Sequence, residues 1–174
     1  MKNPFSIHKL VLRGLFAAGM AICAWISVPL GDISFTLQSF ALFLSLFSLG
    51  GKDGSIIFAV YLLMGAAGLP VFSGFQGGFG ILLGPSGGYL WGFALAGPVY
   101  WLLTYLQGEK AAIPAACAGM LLCYLLGSLW FLFVYADGLA WWMVIGKCVL
   151  PFILPDAIKF FLAYRLSRRL HRYI

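Results

Sequence analysis

The chain has 174 residues, of which 63% are hydrophobic and 9% charged, with a formal net charge of +6. Soluble domains carry about a quarter charged residues, so no aqueous fold of this size hides so much apolar surface; for most of the chain the solvent is lipid. The basic excess sits at the chain ends and in short connections, which argues against a nucleic-acid patch and matches the rule that cytoplasmic loops of membrane proteins are positive.

Six apolar spans follow one another, at about 10–30, 36–50, 54–69, 88–107, 112–136 and 152–170, each compared with the roughly 20 residues a crossing helix needs. They form an all-α polytopic bundle, a single integral membrane domain over 1–174. The first span resembles a signal peptide, but the spans behind it favour an uncleaved helix. Within it, "RGLFAAGMA" sets Gly14, Ala17, Ala18 and Ala21 at spacings of three and four. Such a smooth face lets another helix approach closely, either inside the chain's own bundle or on a separate membrane subunit.

The connection "GDISFTLQ" at 31–38 brings Gln38, an amide with donors and an acceptor. Spans two and three are short, with "GGKDG" at 50–54 as the stop between them. From Gly54 to Gly108 there is no Asp, Glu, Lys, Arg or His.

Inside that stretch lies "GLPVFSGFQGGFGILLGPSGGYLWGF", residues 68–93. Its glycines and prolines deny the part between spans three and four a regular helix, and its phenylalanines and leucines are too apolar for open water. Irregular backbone at membrane depth packs on protein or lines a cavity, so the segment is read as a folded lid on the outer mouth, with a re-entrant structural plug as the alternative. The glycines lack the GxGxxG and GK[ST] patterns, which excludes a nucleotide site. They suit close backbone approach, to a ligand or to a neighbouring helix.

In the last span, "PFILPDAIKFF" at 151–161 carries Asp156 and Lys159 three residues apart on one helix face. Pro155 suits the first turn of a new helix, which puts Asp156 at a favourable dipole end. Intramembrane charges cost about 2.5–3.5 kcal/mol each at the bilayer centre. The pair therefore serves either helix register alone or a polar recognition site for a small molecule, with helix N–H groups donating to ligand oxygens. Gln38 joins it, and Phe35, Phe72, Phe75, Tyr89 and Trp91 are the candidate apolar walls of one outer pocket.

Six crossings place Lys2, Lys9, Arg13, Lys52, Lys110, Arg165, Arg168, Arg169 and Arg172 on one side, so both termini are expected in the cytoplasm. Asp32, Asp137 and Lys147 fall on the other side. Cys23, Cys117, Cys123 and Cys148 match no metal or disulfide spacing and read as packing residues. His8 and His171 lie in the tails without companion ligands. No metal site is expected. No nucleophile–base pair or acidic cluster supports a membrane enzyme acting on a lipid or small vitamin.

The segment 68–93, "FTLQSFAL" at 35–42 and "PFILPDAIK" at 151–159 together resemble, in order and spacing, the BioY family of biotin-specific substrate-binding (S) components of energy-coupling factor (ECF) transporters. Departures are Ser86 where threonine is common and "ILPD" for the more usual "LPGD". The resemblance implies a six-helix, multi-pass S-component in the cell membrane that captures biotin from outside. It also implies a transmembrane coupling subunit and two ATP-hydrolysing subunits as partners, no cofactor on this chain and no nucleic acid. Asp156 and Lys159 would meet the ureido or carboxylate groups of biotin, with Gln76, Gly77 and Gly78 of the lid adding polar contacts. Ala17 and Ala21 match the family's AxxxA docking face. A solitary, ATP-independent biotin carrier is the alternative within transport.

Overall fold

The computed structural model describes residues 7–30, 33–135, 138 and 140–172. Lys2, Asp32 and Asp137, which enter the charge count above, lie outside them. Helix α1 (Ile7–Trp25) leads into a hairpin of β1 (Ser27–Leu30) and β2 (Ile33–Thr36), paired antiparallel with Ser27 opposite Thr36. Then come α2 (Gln38–Leu49), α3 (Gly51–Ala66), a 3₁₀ turn at Ser73–Phe75, the short α4 (Phe79–Leu82), α5 (Gly87–Gln107), α6 (Ala112–Val134), α7 (Trp141–Cys148) and α8 (Leu150–Leu170).

The six long helices occupy the six expected spans, with three departures. The first span ends at Trp25, because its apolar tail with Pro29 folds back as the hairpin. The break between α2 and α3 is a single residue, Gly50 at φ +84, and "GKDG" opens α3 instead of forming a loop. Helix α8 starts at Leu150 and runs through Pro155. Pro151 sits in the first turn, where no N–H is required, so Pro155 forfeits only its own bond to the Pro151 carbonyl. Asp156 therefore lies nearly two turns inside the helix rather than at its N-terminus, and the expected free N–H groups beside it are absent.

Helix α2 is the axis of the bundle, buried from Gln38 through Ser48 apart from Phe40 and Leu44. Ser45 returns its hydroxyl to the Leu42 carbonyl at 2.7 Å, so a polar residue survives in the dry centre. Around the axis, Phe43 and Phe47 meet Phe160 edge-on at 5.0 and 5.3 Å, and Tyr100 and Tyr164 close on Phe47. These edge-to-face rings join α2 to α5 and α8. Helices α5 and α6 pack at backbone distance: a Cβ on Gly92 would stand 2.7 Å from the Cys123 Cα.

The outer surface is the reverse of a soluble protein's. Leu63, Leu106, Leu121, Phe133, Leu154 and Phe161 all point outward. By length and apolarity, α1 and the stretch Glu109–Val134 can each cross a membrane.

Candidate functional site

The segment between α3 and α5 is held by side-chain donors that reach its backbone carbonyls. Trp25 Nε1 donates to Pro70 O (2.7 Å), Tyr61 Oη to Val71 O (3.0 Å), Trp91 Nε1 to Leu82 O (3.2 Å) and Trp130 Nε1 to Gly84 O (3.1 Å). Tyr135 Oη donates to Leu83 O. Irregular backbone has no helix to satisfy its carbonyls, and indole and phenol groups from α1, α3, α5 and α6 do so. Phe72 and Leu82 sink into the bundle as apolar anchors.

Beneath this cover lies a cavity of about 390 Å³ bounded by the hairpin, the start of α2, the lid, α5, α6 and α8. One carboxylate organises its polar wall. Asp156 Oδ1 accepts from Lys159 Nζ at 2.7 Å and from Ser39 Oγ at 2.8 Å, while Oδ2 accepts from Tyr124 Oη at 2.7 Å. Lys159 Nζ also donates to the Thr36 carbonyl (2.7 Å) and to Ser39 Oγ (3.1 Å), and its charge sits 3.8 Å from the Phe35 ring centroid. All three ammonium protons are thus used, and the buried pair is both neutralised and hydrogen-bonded, the condition for retaining charges away from water.

The remaining capacity is specific. Gln38 is 5% exposed, lines the cavity, and its amide nitrogen has no hydrogen-bond partner. Buried donors are nearly always paired, so this amide awaits an acceptor. On the carboxylate, Oδ2 holds one donor and has room for another. Asp156 Oδ2 and the Gln38 amide nitrogen thus offer a ligand an acceptor and a donor against walls of Phe72, Leu90, Phe93 and Phe152.

Of the residues expected from the sequence, Gln38, Gln76, Tyr89, Asp156 and Lys159 line this cavity. Phe75 does not: it is 63% exposed and stacks on Trp25 at 4.8 Å. Neither do Gly77 and Gly78. A Cβ on Gly77 would stand 2.3 Å from the Leu69 carbonyl oxygen, and Gly78, at φ +101, donates its N–H to Gly65 O at 2.7 Å. Those glycines let backbone pack on backbone, so they fasten the lid to the end of α3. Trp91 serves as a lid tether, and Phe35 contacts Lys159.

Ala17 and Ala21 are 3% and 5% exposed and belong to the core, where α1 meets α2 and α3. Their smooth face closes the chain's own bundle, which corrects the expectation that they lie on a docking surface. The residues the sequence reading missed are Ser39, Tyr124 and the Thr36 carbonyl. Ser39 adjoins Gln38 in "TLQSF", and Tyr124 is a lone phenol in the apolar run "GMLLCYLLG", the only signals either left.

Comparison with known proteins agrees with this architecture. The BioY family profile matches residues 1–174. The biotin transporter BioY of Thermotoga maritima is 40% identical over 167 residues, covering 95% of this chain and 97% of that one. A probable biotin transporter BioY of Pyrococcus horikoshii is 36% identical, covering 91% and 93%. Among solved structures, the S-component for biotin from an ECF-type ABC transporter superposes with a TM-score of 0.85 at 26% identity, over 99% of this chain and 95% of that one. The S component of another bacterial ECF transporter shares the fold, with a TM-score of 0.61 at 16% identity. With the family profile matched from end to end and a lidded, six-long-helix bundle around a polar-walled cavity, the chain belongs to the BioY family.

Proposed function

We propose that this chain is the substrate-binding S-component of an ECF-type importer and that its ligand is biotin. The observation that carries the reading is the unpartnered Gln38 amide facing the same cavity as the Asp156 carboxylate. Biotin's head is a compact bicycle closed by a cyclic urea, with two N–H donors and one carbonyl acceptor. The carboxylate Oδ2 takes a urea N–H and the Gln38 amide donates to the carbonyl, while the aromatic walls cover the thioether ring. A cavity of this size lies in the range of about 300–1,000 Å³ usual for small-molecule sites.

The ion pair has a supporting part in this scheme. Lys159 is saturated by Asp156, Ser39 and Thr36, so it holds the carboxylate in place instead of reaching for the ligand itself. Selectivity follows from the polar partners, because an analogue lacking one N–H or the carbonyl leaves a buried group unpaired.

The chain is a transport protein, not an enzyme. In the full assembly a transmembrane coupling subunit and two ATPase subunits supply the energy, so ATP is handled elsewhere and this chain carries no cofactor. With Ala17 and Ala21 turned inward, the small residues that α1 offers to a partner helix are Gly14 and Ala18 on its exposed side. The cavity opens to the outside of the plasma membrane and both termini lie in the cytoplasm, a reading supported by Arg165, Arg168 and Arg169 at the far end of α8.

Titration of the detergent-solubilised chain with biotin, and with other vitamins as controls, tests the ligand. Tight biotin binding without comparable binding of the others is expected. Equal or no binding of biotin refutes the assignment. Uptake that persists when the ATPase subunits are deleted would instead identify a solitary carrier.

A further inference from the structure

A second cavity, of about 250 Å³, lies at the opposite end of the bundle between the start of α1, the turn from α2 to α3 and the end of α8. Fifteen residues of α8 separate Asp156 from His171, about 22 Å at 1.5 Å per residue, so the two cavities are distinct. This one is lined by His8, Lys9, Arg13, Ser48, Asp53 and His171.

Its charges are unbalanced. Arg13 turns one edge of its guanidinium to Asp53, with Nε 3.0 Å from Oδ1, and that is the only acid lining the cavity among the described residues. Lys9 makes no ion pair or hydrogen bond among the described residues. Ser48 is 4% exposed, and its hydroxyl is buried without a partner. A buried hydroxyl is nearly always hydrogen-bonded, and here it stands among an ammonium, the free edge of a guanidinium and two imidazoles. This donor set fits a tetrahedral, acceptor-rich anion.

We infer that this cavity binds a phosphate group through Lys9, Arg13, His171 and Ser48. Beside it, α1 exposes Ile7, Leu10 and Val11, an apolar strip on which an acyl chain can lie. The phosphate of an anionic lipid headgroup and free phosphate share the chemistry, and the strip favours the lipid.

The test uses the full chain, delipidated in detergent and titrated by calorimetry with short-chain phosphatidylglycerol, short-chain phosphatidylcholine and inorganic phosphate. Phosphatidylglycerol is expected to bind, and Lys9→Gln and His171→Gln to weaken it, about fivefold for the lysine, the worth of one cation near an anionic surface. Ser48→Ala weakens it without altering charge. Melting temperature checks the fold of each variant. Phosphatidylglycerol binding tighter than inorganic phosphate identifies the headgroup; equal binding of both identifies free phosphate. Four results overturn the inference: phosphatidylcholine bound as well as phosphatidylglycerol; no binding of either phosphate probe; unchanged affinity in both Lys9→Gln and Ser48→Ala; or loss only when Arg168 and Arg169 are replaced.

Discussion

Tyr124 on α6 and Asp156 on α8 meet at 2.7 Å, joining two helices through a phenol and a carboxylate at the wall of the cavity. The bond leaves the phenol oxygen and Oδ2 side by side, and it fixes which face of the carboxylate a ligand meets. Tyr124→Phe removes that constraint while preserving ring volume. Hydrogen bonds to charged groups are worth about 1.5–3 kcal/mol, so biotin affinity is expected to fall by about that amount in calorimetry. Unchanged affinity would show that the tyrosine only ties the helices.

Gln38→Leu separates stability from binding. The wild-type amide nitrogen is buried without a partner, and an apolar side chain of similar size removes that cost. The variant is expected to melt at or above the wild-type temperature while losing about 1–3 kcal/mol of biotin affinity. A drop in melting temperature would mean that the amide has a structural partner.

The ion pair predicts an asymmetry. Lys159→Ala leaves Asp156 charged and buried, a loss of about 3–5 kcal/mol for a broken buried pair. The double replacement Asp156→Leu with Lys159→Met removes both charges and is expected to recover much of that stability, as measured by thermal unfolding in detergent, without restoring biotin binding. If the double variant binds biotin normally, the carboxylate is no part of the site.

The tethers of the lid predict kinetics. Trp130→Phe keeps an aromatic ring, smaller than the indole, and deletes the N–H that reaches Gly84 O. At about 1 kcal/mol for a typical hydrogen bond, the dissociation rate of biotin is expected to rise about fivefold, with little change in association. Gly77→Ala drives a methyl into the Leu69 carbonyl, and stopped-flow release should be faster still. Release rates equal to wild type in both would place the lid outside the binding step.

Asp156 and Lys159 were legible because charges in an apolar run demand partners, and three-residue spacing makes each the nearest partner of the other. Gln38 followed as an amide in the connection ahead of α2, Tyr89 as a candidate apolar wall, and Gln76 only through the family resemblance of the lid segment. The rest of the network left little trace. Thr36 contributes a backbone carbonyl, which every residue type carries, and Ser39 and Tyr124 become partners of Asp156 only when α2 and α6 close on α8. The lid was legible as a lid, but its glycines divide between cavity wall and backbone contact on tertiary grounds alone: Gly74 and Gly84 border the cavity, whereas Gly77 and Gly78 abut α3. Two prolines in "PFILPD" read as a break, yet their spacing of four puts the missing N–H of one opposite the carbonyl of the other, so the helix loses one bond and continues. The same ambiguity of small residues misassigned Ala17 and Ala21, whose spacing serves an internal contact as well as an external one.

Because the lid is gripped through its carbonyls by rings rooted in four separate helices, it has no independent hinge. Any tilt or separation of those helices pulls directly on the cover. On the proposed function, the roof over the vitamin and the packing of the bundle are therefore one mechanical unit, slackened together when those helices part.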